Sequence, residues 1–293
     1  MSFQAALLLA AGLGTRLRPL TDVLPKCLVP VCGRPLLLYW LEMLERAGVE
    51  RIIVNLHHHA DLVRQFIVES RFASRVVMSH EPRLLGTAGT ILAHREVIER
   101  GPTLIAHADN LSVFDPGRFM LKHAGRPAPA VMTMMTFATS NPGSCGIVET
   151  DSRGVVTAFH EKVADPPGNL ANGAVYAMDP EVLEFFPRDF GDFLDLSTDV
   201  IPRLMGRIYC SLNHVLHRDI GTPDSLTTAQ LELALRCPEV IRHAAPVDPA
   251  WINLLHTGAP PLGKRAADAA AAMVWQLREH GPRVGTAPGG ACS

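Results

Sequence analysis

A glycine-punctuated stretch, Gly12-Leu-Gly-Thr-Arg-Leu-Arg-Pro-Leu-Thr-Asp-Val-Leu-Pro-Lys26, follows directly on the short apolar run at residues 4–11. A turn opening straight off a buried strand leaves backbone N–H groups unpaired, and these can wrap phosphate oxygens. Arg16 and Lys26 add fixed positive charge to the same loop. A tight turn carrying surface bases would show the same residue types. Two better-known phosphate loops are excluded. The dinucleotide fingerprint needs a third glycine where Leu17 stands, and no Gly-Lys-Ser or Gly-Lys-Thr follows at Walker A spacing.

Other residues with chemistry in them stand further along. Asp109 ends the apolar segment 103–109, and Asp219 precedes Ile-Gly-Thr-Pro223. An acid in such a place can hold a cation, and it can equally form a turn or cap a helix. Glu161 and Lys162 fall at the end of a strand-like segment, where a solvated hairpin end is the plain alternative. The His57-His-His59 run reads as a surface loop, because adjacent side chains point in different directions and rarely converge on one ion. The cysteines (Cys27, Cys32, Cys145, Cys210, Cys237, Cys292) form no C-x-x-C pair. They read as free thiols of a reducing compartment, and no activator stands near Cys27 or Cys145.

Elements must position these residues. Residues 4–11 form an apolar run suited to a strand buried on both faces. The spacing then predicts a helix over 35–47, a strand over 51–56, a helix over 60–70, a strand over 75–79, a helix over 90–100 and a strand over 103–109. This alternation implies a doubly wound α/β sheet, which binds ligands at the C-terminal ends of its strands. Residues 130–136, 146–149, 155–161 and 172–178 read as further strands, with Asp151-Ser-Arg-Gly154 as a hairpin turn and 198–205 as helical. With 47% hydrophobic and 19% charged residues, a buried core is expected. A net charge of −2 argues against a nucleic-acid binder relying on bulk positive charge. There is no apolar run of membrane-spanning length and no basic leader, so the cytoplasm is expected, with no membrane partner.

Taken as a unit, the loop resembles the signature of the sugar-phosphate nucleotidyltransferases, G-x-G-T-R-L-x-P-L-T…P-K…P-V, complete through Pro30 and Val31. The resemblance continues in order through Leu85-Gly-Thr-Ala-Gly89, Asp109, Gly146-Ile-Val148, Glu161-Lys162, Asn172-Gly-Ala-Val-Tyr176, Asp199-Val-Ile-Pro202 and Asp219-Ile-Gly-Thr-Pro223. The mannose-1-phosphate and heptose-1-phosphate guanylyltransferases are the branch it is most similar to. The resemblance implies a Rossmann-like mixed sheet of the nucleotide-diphospho-sugar transferase type. It implies a reaction of a nucleoside triphosphate, GTP as first expectation, with a sugar 1-phosphate, releasing pyrophosphate. It implies Mg²⁺ held by Asp109 and Asp219, with Arg16 and Lys26 completing the catalytic set. Leu9, Ala11, Gly12, Gly14, Thr15, Gly86, Thr87 and Gly89 would bind the nucleotide; Gly146, Glu161, Lys162 and Asn172 would bind the sugar phosphate. The nucleophile is then a phosphate oxygen already ionised at neutral pH, so positioning and charge stabilisation suffice and no general base is required.

Two other readings stay open. One is the same chemistry on a non-sugar phosphate or phosphonate. The other is a catalytically silent regulator that binds a nucleotide sugar, against which the joint retention of Arg16, Lys26, Asp109 and Asp219 argues. Arg218, Ala108 and Val163 depart from the residues usual beside the motifs and leave the sugar open. A catalytic domain is expected over residues 1–236 and an accessory tail over 237–293, with one Ala-rich helix at 264–280 and a disordered end at 281–293. The tail lacks the hexapeptide repeats of longer relatives; it is expected to be dispensable for chemistry and to allow for homodimer pairing.

Overall fold

The computed structural model describes residues 3–242, 249–258 and 260–280. The first apolar run becomes strand β1 (Ala5–Leu9), every residue of which is buried. Helix α1 (Leu36–Arg46) follows, and it ends where Gly48 turns to φ 74°. There Gly48 N–H donates to Glu45 and Val49 N–H to Leu44, the paired bonds that close a helix on a glycine. Then come β2 (Arg51–Leu56), α2 (Ala60–Glu69), β3 (Val76–His80), α3 (Thr87–Ala93) and β4 (Thr103–His107). β1 pairs in parallel with β2 and β4, and β2 with β3, giving the predicted parallel half.

Next are β5 (Asn110–Val113), α4 (Pro116–Ala124), β6 (Met132–Ala138), β7 (Gly146–Thr150), β8 (Val156–Glu161), β9 (Leu170–Met178) and β10 (Ile208–Leu212). β9 runs antiparallel against β4, with Tyr176 opposite Ile105, and so joins the two halves. The sheet runs β8-β7-β9-β4-β1-β2-β3, with β6 beside β9 and β10 beside β6. This is a mixed α/β sheet. β11 (Leu216–Asp219) leaves it and pairs with β5 as a separate antiparallel ribbon. α5 (Pro223–Arg236), a single turn at Pro238–Arg242, α6 (Pro249–Leu255) and α7 (Leu262–His280) complete the described chain.

Local departures from the sequence reading have local causes. The helix predicted over 90–100 starts earlier, at Thr87, and breaks at His94 (φ −118°, ψ 27°) before a separate turn, Arg95–Ile98. The segment predicted helical over 198–205 is two short pieces, a wider π-helical turn at Leu196–Val200 and a tighter 3₁₀ turn at Ile201–Leu204; Pro202, which has no N–H to give, falls in the second.

Apolar side chains bury on both faces of the sheet. One cluster joins the sheet to α1, α2, α5 and the helices beyond; the other lies under α3 and the 194–204 segment. Trp251 of α6 meets Phe66 of α2 edge-on at 6.3 Å, and Leu254, Leu262 and Met273 belong to the first cluster. α7 also packs against the turn Leu20–Asp22 of the glycine loop. The expected disordered end, 281–293, lies outside the described residues. Among those residues no helix is long and apolar enough to cross a membrane, and Cys27, Cys32, Cys145, Cys210 and Cys237 are free thiols.

Candidate active site

The glycine loop is neither strand nor α-helix but three short tight turns, Thr15–Leu17, Leu20–Asp22 and Lys26–Leu28. It is fixed by what it buries. Leu17, Leu20, Leu24 and Leu28 all point into the core, and each contributes about 2 kcal/mol of apolar burial. Gly14 (φ 63°) turns the chain so closely that a Cβ there would stand 2.8 Å from the Thr21 methyl. The Thr21 hydroxyl donates to the Gly14 carbonyl at 2.8 Å. With its leucines inward, the loop presents Arg16 outward, its side chain 66% exposed.

The two acids come from distant parts of the chain. Asp109 follows β4, whose end is held where Ala108 N–H donates to the Leu9 carbonyl at 2.9 Å. The β5–β11 ribbon then sets Asp219 opposite Asn110, beside Asp109. Lys26 lies between them: its Nζ donates to Asp109 Oδ2 at 2.9 Å and to Asp219 Oδ1 at 2.6 Å. Arg16 Nη2 reaches Asp219 Oδ2 at 3.1 Å, and Gly221 N–H donates to Asp219 Oδ1 at 2.8 Å. Burial works against the Lys26 ammonium, but the carboxylates of Asp109 and Asp219 outweigh it and hold its pKa above the ordinary lysine value. Burial likewise works against the Asp219 carboxylate, and Lys26 and Arg16 overcome it, leaving Asp219 below the usual carboxylate range. Burial pushes the neighbouring Cys27 thiol up to about 12, which leaves it unreactive.

A pocket of about 170 Å³ opens beside this cluster. Of the residues expected to bind nucleotide, Leu9, Ala11, Gly12, Gly86 and Thr87 line it, together with Asp109. Gly14 lies behind it against Thr21, and Gly89 packs near Leu85 and Leu194. Gly86 is forced: a Cβ there would sit 2.3 Å from the Leu194 carbonyl oxygen. The pocket also contains residues the sequence reading missed, among them Asn55, Glu81, Thr90, His107, Phe193 and Asp195. Buried Glu81 accepts from Asn55 Nδ2 at 2.9 Å and from the Thr90 hydroxyl at 2.6 Å through Oε1, and from Leu85 N–H at 3.3 Å through Oε2. Asn55 Oδ1 in turn accepts from Ala10 N–H at 2.6 Å. A signal was available: Asn55 interrupts the buried apolar run that follows Arg51, where a polar side chain needs bonding work.

Gly146, Glu161, Lys162 and Asn172 gather elsewhere, on the antiparallel half, and do not line this pocket. Gly146 pairs with Glu161 across the β7–β8 hairpin, and a Cβ at Gly146 would stand 2.6 Å from Glu161 Oε2. Lys162 takes φ 49°, a strain on the order of 1 kcal/mol, and its Nζ returns to Glu161 Oε1 at 2.9 Å. β9 touches β7 at Ala171, and Asn172 Nδ2 donates to the Tyr176 hydroxyl at 2.8 Å across a bulge in that strand. Arg218, the departure beside Asp219, turns to Glu232 of α5 in a two-pronged pair at 2.6 and 2.8 Å.

Residues 5–235 match the family model described as Nucleotidyl transferase. The chain belongs to that family. It is 33% identical over 234 residues to mannose-1-phosphate guanyltransferase beta-A of Xenopus laevis, covering 76% of this chain and 62% of that protein. It is 29% identical over 217 residues to a UTP--glucose-1-phosphate uridylyltransferase of Synechocystis, covering 68% of this chain and 55% of the relative. The match thus spans less than two thirds of these curated relatives. The fold superposes on HddC from Yersinia pseudotuberculosis complexed with GMP-PN with a TM-score of 0.65 at 25% identity, covering 79% of this chain and 100% of that one. The glycine loop, both acids and the Gly146–Asn172 region all fall inside the matched span.

Proposed function

We propose that this nucleotidyl transferase couples a nucleoside triphosphate to a sugar 1-phosphate and releases pyrophosphate. The observation that carries the reading is the convergence of Arg16, Lys26, Asp109 and Asp219 beside a glycine-lined pocket. An oxygen of the sugar phosphate attacks the α-phosphorus, and the bond from that phosphorus to the α–β bridging oxygen breaks. The electron pair leaves on pyrophosphate. Lys26 and Arg16 are the protein's cations at that centre: Lys26 would meet the reacting phosphates, and Arg16, exposed at the rim, would hold pyrophosphate oxygens as charge builds on them. Glu161, Lys162 and Asn172 would receive the sugar phosphate.

The donor set suits magnesium. Two carboxylates already converge on one cation, the Lys26 ammonium, at 2.9 and 2.6 Å. Among the described residues no group of three or more His, Cys, Asp or Glu is placed to hold an ion, so phosphate oxygens and water would complete the shell. Bound there, the ion would supply charge stabilisation at the α-phosphate.

Guanine is the base we favour. Glu81 Oε2 carries one 3.3 Å bond from Leu85 N–H and lines the pocket, so it can accept from a base that offers adjacent N–H donors, as guanine does at N1 and N2. Relatives named as guanylyltransferases agree with this, although a uridylyltransferase is also among them. The test is pyrophosphate release across five nucleoside triphosphates and a panel of mannose, heptose, glucose and N-acetylhexosamine 1-phosphates. GTP with a mannose or heptose phosphate should lead. Release with none of them would overturn the reading.

A further inference from the structure

The three adjacent histidines do not form a metal site, yet they are not idle. His57 and His58 leave the end of β2 for different partners. His57 Nδ1 bonds the Glu81 carbonyl at 2.8 Å, and His58 Nε2 bonds the Thr21 carbonyl at 2.8 Å. His59 takes φ 50° to begin α2, and its ring lies 4.1 Å from that of His58. Burial, then His58, pushes the His59 pKa down, while contacts with the Thr21 and Asp22 backbone oppose the shift. Both rings therefore lie against the underside of the glycine loop.

Thr21 is the loop's inner hinge pin. It is 1% exposed, and its hydroxyl holds the Gly14 carbonyl, so a route of two hydrogen bonds runs from His58 through Thr21 to the turn preceding Arg16. Gly14 is also pressed against Lys26, whose Cβ would lie 3.3 Å from a Cβ at position 14. The loop has no strand partner through this stretch, and β2 is an interior strand paired on both sides. A rigid strand end thus grips a segment that lacks ladder bonds of its own.

We infer that His58 is a positioning residue for nucleotidyl transfer: its imidazole fixes Thr21 and so sets the Gly14–Lys26 turn that presents Arg16 and Lys26 to the triphosphate. This rests on the transfer reading above. To bond a carbonyl oxygen, Nε2 must carry a proton, which one neutral tautomer and the imidazolium both supply. Either form can make the bond, so what matters is a donor at that reach. Glutamine can place an amide N–H there; alanine cannot.

The test compares His58→Ala and His58→Gln with the wild type in steady-state kinetics, thermal unfolding and amide hydrogen exchange. His58→Ala should raise KM for the triphosphate or lower kcat by at least about tenfold, a loss of about 1.4 kcal/mol. KM for the sugar phosphate should stay within about twofold, since the Glu161–Asn172 group lies on other strands. His58→Gln should recover most of that loss. Exchange at residues 14–17 should quicken in His58→Ala and not in His58→Gln, a readout that needs no turnover and so survives if the substrate assignment fails. Wild-type kinetics and exchange in His58→Ala would overturn the inference. Equal losses for both substrates, with glutamine no better than alanine, would overturn it as well, because that is the pattern of general destabilisation.

Discussion

A buried ammonium between two carboxylates has a signature in pH. Asp219 sits below the usual carboxylate range because Lys26 and Arg16 outweigh the opposing effect of burial. The stability it gives is fully present above the carboxylate's unfolded pKa and is lost as pH falls through the lower folded value. Lys26 has the other sign. Its folded pKa is raised, so its contribution is full below the ordinary lysine value and goes as pH rises through the folded one. Lys26→Met should therefore move the midpoint of acid unfolding to higher pH and flatten the alkaline limb, as followed by circular dichroism. An unmoved acid midpoint would mean the Asp219 charge is screened as though in open water. Asp109→Asn and Asp219→Asn should each cut turnover about 100-fold or more, because the amide keeps the shape and loses the charge; each also takes a carboxylate from the buried Lys26 ammonium, so the unfolding temperature should fall while the circular dichroism of the folded state is kept. Gly221→Ala should also cost activity: its new methyl would lie 2.8 Å from both Arg16 Nη2 and Asp219 Oδ1. Gly168→Ala, with open space around it, is the matched control that should change nothing. At this scale the sequence was informative where charge and glycine coincide in a long motif, and Arg16, Lys26 and the two acids do come together. Glu81 and His58 were invisible for a physical reason. Their roles come from hydrogen bonds to residues far along the chain, and such partners leave no periodicity.

Elements were legible in proportion to their burial. The parallel strands β1, β2 and β4 are apolar runs, and the glycine-closed end of α1 carries its own stop signal. The short ribbon strands β5 and β11 are not apolar runs of that kind; β11 reads Leu-His-Arg-Asp, and what makes it a strand is pairing with β5. Yet that ribbon sets the acid. Its outer support is the Arg218–Glu232 pair, about a quarter exposed on each side, which ties β11 to α5. Glu232→Ala should cost about 1 kcal/mol of stability, in keeping with a partly exposed pair, and should lower kcat through a loosened Asp219. Denaturant midpoints and kinetics measured together decide this: a stability loss with kcat unchanged would show that the ribbon holds Asp219 without help from α5.

The whole molecule ties its last helices back to its first loop. α6 and α7 extend the first apolar cluster through Trp251, Leu254 and Leu262, and α7 touches Leu20–Asp22. The expectation of a tail dispensable for chemistry did not include that contact, because packing against a distant turn cannot be read from an Ala-rich helix. Trp251→Ala should destabilise by about 3 kcal/mol, the usual cost of emptying a buried aromatic site. Ending the chain at residue 236 should lower the unfolding temperature and raise KM for the triphosphate. A short chain with lower stability and unchanged kinetics would bear out the expectation of a purely accessory tail. The route by which Asp219 reaches Asp109 has a further consequence, for the chain as it is being made. Asp219 comes beside Asp109 only once β11 has found β5, a contact between strands that are far apart in sequence. A growing polypeptide can complete its glycine loop, its first acid and most of its sheet and still lack one side of the proposed catalytic centre. Reactive capacity would then arrive in one step once residues 216–219 are made, and a nascent chain stalled before residue 216 should be folded in large part yet inert.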